Sequence, residues 1–99
     1  MYTGISVGCE IAKGTFTSEF FVKISTQDGS IWEGAVDKEM VFDYEKEPTG
    51  EDYVAGRMYA YLINCDEEKA LIELPVEDST AGRRIIVPLG SIKEAQIPA

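Results

Sequence analysis

The chain has 99 residues, of which 44% are hydrophobic and 10% aromatic, and its net charge is −9. This length and composition predict one domain, residues 1–99, that buries about 65% of the surface of the unfolded chain around one core. The hydrophobic content argues against general disorder, and no apolar run reaches the roughly 20 residues that span a bilayer. Because the first residues lack the basic segment of a secretory signal, we expect a cytoplasmic protein.

The first two predicted strands cover residues 2–12 and 15–25. Apolar residues alternate with polar ones at a period of two in both stretches, which is the pattern of half-buried β-strands. Lys13 and Gly14 between them predict a tight turn. Cys9 lies on the apolar face of the first strand, and we expect it to be a reduced core residue.

A hairpin turn and a third strand follow. Asp28-Gly29 favours a tight turn because glycine adopts a positive φ without steric cost. Residues 30–36 then alternate, with Trp32 and Val36 on one face. These segments predict an antiparallel meander.

The negative charge is concentrated in residues 37–52, which we call the acidic segment. It holds seven acids and two lysines, a net charge of −5. Its acids are Asp37, Glu39, Asp43, Glu45, Glu47, Glu51 and Asp52. Such a field attracts a basic or cationic partner, and a solubilising loop is the alternative interpretation.

Local signals divide this part of the chain. Residues 40–44 alternate weakly and predict a short irregular strand, and residues 45–52 predict a loop. Thr49 is a candidate cap for one helical turn that ends at Gly56.

The second half predicts three more strands, residues 57–65, 70–76 and 83–88. A polar turn separates the first two, and Cys65 beside it is expected to be partly exposed. Pro75 cannot donate to a ladder, which indicates an edge position or a strand end.

The strand 57–65 is apolar on both faces, and Tyr59, Tyr61 and Ile63 share one of them. Something must therefore cover this second face. Either the excursion 37–55 folds over it, or a second copy of the chain does, which would make these three residues a dimer interface.

The end of the chain carries the one resemblance to a known fold. Ile85 to Val87, then Pro88, a single turn and a returning Ile92 resemble the last strand, 3₁₀ turn and closing strand of SH3-like small barrels. The predicted fold is therefore mainly β: a small antiparallel barrel or roll of five to six strands, SH3-like, with one acidic loop and at most a short helical turn.

The residues of catalysis are sparse. The chain has no histidine, the commonest general base and metal ligand, and Cys9 and Cys65 lack the close spacing of zinc ligands. Carboxylate pairs remain, but 18 acids in 99 residues produce such pairs by chance. We expect no metal, no cofactor and no enzymatic activity.

The first functional hypothesis is a binding module with an acidic and aromatic surface. Aromatic faces beside carboxylates suit a basic protein or peptide, or a cationic small molecule. The candidate binding residues are Trp32, Asp43, Tyr44, Glu45, Glu51, Asp52 and Tyr53.

Two alternatives stay open at this point. One is a homodimeric assembly protein that uses the face of Tyr59, Tyr61 and Ile63. The other is an acidic inhibitor that imitates a nucleic-acid backbone. The chain itself is not expected to bind nucleic acid or an anionic membrane, because both rely on clustered lysine and arginine.

Overall fold

The computed structural model describes residues 3–50, 52–76 and 82–97, and in these ranges the chain is mainly β. The strands are β1 (Thr3–Lys13), β2 (Glu19–Ser25), β3 (Ile31–Asp37), β4 (Val41–Phe42), β5 (Val54–Cys65), β6 (Lys69–Glu73), β7 (Arg84–Pro88) and β8 (Ile92–Glu94). Two 3₁₀ turns cover Lys38–Met40 and Leu89–Ser91. No helix in these ranges is long and apolar enough to cross a membrane.

All strand pairs are antiparallel, and the sheet is nearly closed into a barrel. Six strands follow each other in the order β3-β2-β1-β5-β6-β7, while β4 pairs with β5 and β8 pairs with β1. This confirms the predicted fold class. The strand, single turn and returning strand predicted for residues 85–94 are also present, as β7, the second 3₁₀ turn and β8.

The core forms where the inward faces of the strands meet. Because side chains alternate along a strand, every second residue of β1, β2 and β3 is buried, and Cys9 is among them as predicted. The largest fully buried side chains are Phe20, Ile11, Ile24, Met58, Ile72 and Leu74.

Two hydrogen bonds tie the opposite ends of the sheet together. The indole Nε1 of Trp32 in β3 donates to the carbonyl oxygen of Gly82 at 3.0 Å. The backbone N–H of Gln27, in the turn before β3, donates to the carbonyl oxygen of Ile86 in β7 at 2.8 Å. These contacts bring β3 and β7 together across the seam of the barrel.

The second strand starts later than predicted. β2 begins at Glu19 rather than at residue 15, and Phe16, which lies inside the predicted strand, is 68% exposed. The chain turns where Glu19 N–H donates to the Phe16 carbonyl at 3.2 Å. The tight turn is therefore replaced by a wider loop between Lys13 and Glu19. Its two ends approach closely, because a Cβ on Gly14 would lie 2.5 Å from the Glu19 carbonyl oxygen.

The helical turn predicted between Thr49 and Gly56 was wrong. β5 already begins at Val54, and Gly56 pairs with Cys9 inside the ladder. The ladder is favoured because it pairs Val54, Ala55 and Gly56 with β1, whereas one isolated helical turn leaves most of its backbone groups unpaired. Pro75 lies beyond the end of β6, at a strand end as predicted.

Gly34 makes room for the only tryptophan. A Cβ at position 34 would lie 2.6 Å from the Trp32 ring, which is buried and held by its bond to Gly82. We therefore expect Gly34→Ala to lower the free energy of unfolding by about 1–3 kcal/mol, because the ring must shift. Urea unfolding followed by tryptophan fluorescence measures both the loss and a red shift of the emission.

Gly90→Ala is the matched control, because nothing lies within 4 Å of the position of its new Cβ. Equal unfolding midpoints and equal emission for the two variants would contradict the packing of Trp32 over Gly34.

Asp28 organises the turn between β2 and β3. Its Oδ1 accepts from Thr26 Oγ1 at 2.6 Å, from Ser30 Oγ at 2.7 Å and from Ser30 N–H at 3.0 Å. These hydrogen bonds lower the pKa of the Asp28 carboxyl from 3.8 to about 2. Gly29 follows at φ 88°, the left-handed conformation that the sequence predicted for this turn.

We expect Asp28→Asn to lower the urea midpoint at neutral pH. A carboxyl whose pKa is lower in the folded chain stabilises it above pH 3.8, and this stabilisation is lost as the pH falls through about 2. The difference between wild type and variant should therefore shrink across that interval. Glu94→Gln, at an exposed acid, is the control. A difference that stays constant down to pH 2 would reject this role of Asp28.

Candidate functional site

The acidic segment is anchored to the barrel by its apolar residues. Val41 is 5% exposed and belongs to the core, and Pro48 is also buried. The ring of Tyr44 packs edge-on against Phe20, with 5.6 Å between ring centroids and 85° between planes. The predicted irregular strand shrinks to the two residues of β4, which pair with β5. The segment therefore lies along the barrel surface.

This anchoring leaves the carboxylates on the outside. All acids of the segment that the structure describes are exposed: Asp37, Glu39, Asp43, Glu45, Glu47 and Asp52. Asp43 adopts φ 59°, a left-handed conformation that aspartate tolerates better than most residues. Lys38 is half-buried, with its Nζ 3.9 Å from Glu47 Oε2 and 4.9 Å from the centroid of the Phe20 ring.

Tyr44, in the middle of the segment, lies beside the start of β5. The Cβ of Tyr44 lies 3.6 Å from the position of a Cβ on Gly56. Asp43 and Glu45 flank Tyr44 in the chain, and Asp52 and Tyr53 directly precede β5. Four predicted binding residues, Asp43, Glu45, Asp52 and Tyr53, are exposed, while Glu51 lies outside the described residues.

The aromatic part of the predicted surface differs from expectation. Trp32 is 3% exposed and its indole N–H is bonded to Gly82, so its ring is a core element and offers no surface to a partner. Tyr53 is exposed, and the Nζ of Lys23 lies 4.3 Å from its ring centroid. The same Nζ is 3.7 Å from Glu33 Oε1. An ammonium group held by an aromatic ring and a carboxylate is already present here.

The second apolar face of β5 is partly covered from within the chain. Tyr59 stacks on Phe42 of β4, with 4.4 Å between centroids and 23° between planes. Tyr59, Tyr61 and Ile63 are all half-buried. The excursion 37–55 thus supplies the cover over Tyr59, and a dimer through this face stays a prediction.

Arg57 is a structural residue that the sequence reasoning missed. Its Nε donates to Ser6 Oγ at 2.8 Å, and its Nη2 donates to the carbonyl oxygens of Ser6 at 3.1 Å and Ser91 at 3.0 Å. The signal was the row of small residues Gly4, Ser6 and Gly8 on β1, which face Tyr61, Tyr59 and Arg57 of β5. The guanidinium joins β1, β5 and the turn before β8.

The two cysteines lie in different environments. Burial raises the pKa of the Cys9 thiol to about 12, and the charge of Arg57 offsets only part of this effect. Cys65 is exposed, and both thiols are free. Among the residues that the structure describes, no group of three or more acids and cysteines is placed to hold a metal ion.

Two concave regions flank these features. A cavity of about 240 Å³ lies between the acidic segment and the loop before β2, and its walls include Phe16, Phe20 and Pro48. Its charged lining is balanced, with two lysines and two glutamates. A cleft of about 450 Å³ lies beside the Asp28 turn, and Lys69 and Arg84 line its other wall.

Comparison of the chain with protein families, with curated proteins and with solved structures finds no match. The SH3-like assignment therefore stays a prediction.

Proposed function

We propose that this protein is a non-catalytic binding module whose acidic segment captures a basic polypeptide. The observation that carries the proposal is the orientation of the segment. Val41, Tyr44 and Pro48 point to the barrel, and every described acid of the segment is exposed. Carboxylates on an anchored segment attract and orient a basic partner. Binding then does not have to include the entropic cost of ordering the segment.

The contact between Lys23 and Tyr53 supports the same chemistry. The ring accepts an ammonium at 4.3 Å, and Glu33 stands beside it. A lysine or arginine of a partner would replace Lys23 at this ring, through cation-π attraction and charge pairing. The cavity of about 240 Å³ is the weaker candidate, since its own lysines already balance its glutamates.

The composition and the thiol chemistry favour binding over catalysis. The chain has no histidine to serve as general base, and the raised pKa of Cys9 keeps that thiol protonated. A net charge of −9 also disfavours nucleic acid as the partner.

The test compares two triple variants with equal change in net charge. Asp43→Asn, Glu45→Gln and Asp52→Asn together neutralise the proposed surface, while Glu67→Gln, Glu68→Gln and Glu94→Gln neutralise exposed acids elsewhere. The probe is a fluorescein-labelled decalysine peptide, read by fluorescence anisotropy at two salt concentrations.

We expect the first triple variant to bind about tenfold more weakly at low salt. Three exposed ion pairs of about 0.5 kcal/mol each have this combined effect. The control triple should change affinity by less than threefold, and salt should weaken the wild type. Equal losses in both variants, or no binding by the wild type, would reject the proposed function.

A further inference from the structure

Strand β3 lies at one end of the sheet, and its outer edge is open beyond the Gln27 and Trp32 hydrogen bonds of the seam. It pairs with β2 along its whole length, from Glu19 opposite Asp37 to Ser25 opposite Ile31. Over residues 3–50, 52–76 and 82–97, no backbone hydrogen bond is found on its other edge. Unpaired N–H and C=O groups along a strand are a template for another strand.

The hairpin fixes which residues present these groups. Thr26 N–H donates to the Ser30 carbonyl at 2.9 Å, and Lys38 N–H donates to the Ser18 carbonyl at 3.0 Å, at the two ends of the β2-β3 ladder. Hydrogen-bonded pairs alternate with non-bonded pairs in an antiparallel ladder. Trp32, Gly34 and Val36 are thus bonded to β2, and the backbone groups of the residues between them point away from it.

These outward-pointing residues also share one face. Ile31 is 59% exposed, and Glu33, Ala35 and Asp37 are exposed as well. In chain order, the side chains along the open edge are therefore one apolar, one acidic, one small and a second acidic residue. A strand added to this edge would set its own side chains beside this row.

The charges on this face determine whether an acidic or a basic strand is favoured at the open edge. Asp37 lies directly opposite Glu19 in the register, and like charges in that position repel. The nearby Lys23 is engaged by Glu33 and Tyr53. A cation beside Asp37 would relieve the repulsion. A second copy of this chain would instead bring the same acidic row and another net charge of −9.

We propose that the open edge of β3 is the docking edge for a basic peptide, which adds to the sheet as an extended strand with basic side chains beside Glu33 and Asp37. The main-chain bonds give affinity, and the alternating side chains give selectivity. This inference rests on the proposed function and specifies how the basic partner is held.

A proline at position 35 separates this binding mode from simple charge attraction. Ala35 lies in a non-bonded pair with Phe21, so Ala35→Pro removes an outward N–H and leaves the β2 ladder intact. Ala35→Val is the matched control, because it keeps the N–H and suits a strand. The probes are an eight-residue peptide of alternating threonine and lysine and an equally charged peptide of alternating proline and lysine.

We expect the threonine-lysine peptide to bind wild type and Ala35→Val equally, and Ala35→Pro at least tenfold more weakly. The proline-lysine peptide should bind weakly to all three, because it cannot form a ladder. Amide hydrogen exchange of the wild type should show new protection at Glu33 and Ala35 when the first peptide is bound. That exchange result decides the question even if Ala35→Pro does not fold.

Other outcomes overturn the inference in separable ways. Unchanged exchange at Glu33 and Ala35, with the peptide bound and the acidic triple variant still weakened, would reject strand addition and leave the proposed function standing. Failure of both peptides to bind the wild type would reject both. Protection at Glu33 that grows with protein concentration alone would assign the edge to a second copy.

Discussion

The pairing of β1 with β5 is the constraint on which the rest of the structure depends. It runs from Thr3 opposite Leu62 to Ile11 opposite Val54, and each strand then takes two further partners along its other edge. β1 pairs with β8 near its start and with β2 near its end, while β5 pairs with β4 and then with β6. Because β1 and β5 pair with each other and with the remaining neighbours, they join both halves of the barrel. Their inward residues Val7, Met58 and Ala60 form the centre of the core.

The outer face of the same pair determines where the acidic segment lies. Small residues on β1 leave space beside the large side chains of β5, so Arg57 folds over Ser6, and Tyr59 is free to stack on Phe42. That stacking and the β4-β5 pairing hold the beginning of the acidic segment on the barrel. The start of the acidic segment is therefore positioned by packing on both faces of the sheet, with Val41 in the core and Phe42 against Tyr59 on the outer face.

Much of this fold could be predicted from period-two patterns, because an alternating strand with one buried face leaves little freedom of register. The pattern failed where contacts between distant residues decide the structure. The close approach of Gly14 and Glu19 moved the start of β2, and pairing of Gly56 with Cys9 replaced a helical turn by a strand. Trp32 was assigned to the surface because its partner, the Gly82 carbonyl, is 50 residues away in the chain. The acids of the candidate site were easier to place, since charged side chains stay exposed unless they are paired.

The outer edge of β3 differs between the two ends of the strand. The start of the strand is tied across the seam by the Gln27 and Trp32 hydrogen bonds, which stabilise the barrel without a complete ladder. Farther along, the strand runs toward the acidic segment with its outer backbone groups unpaired in the described structure. Such an edge is an aggregation hazard in a protein with neutral surroundings, and charged side chains are the usual protection. Carboxylates repel other copies of an acidic chain, but they attract a basic strand. The same residues that keep this protein from pairing with itself therefore favour a partner of opposite charge.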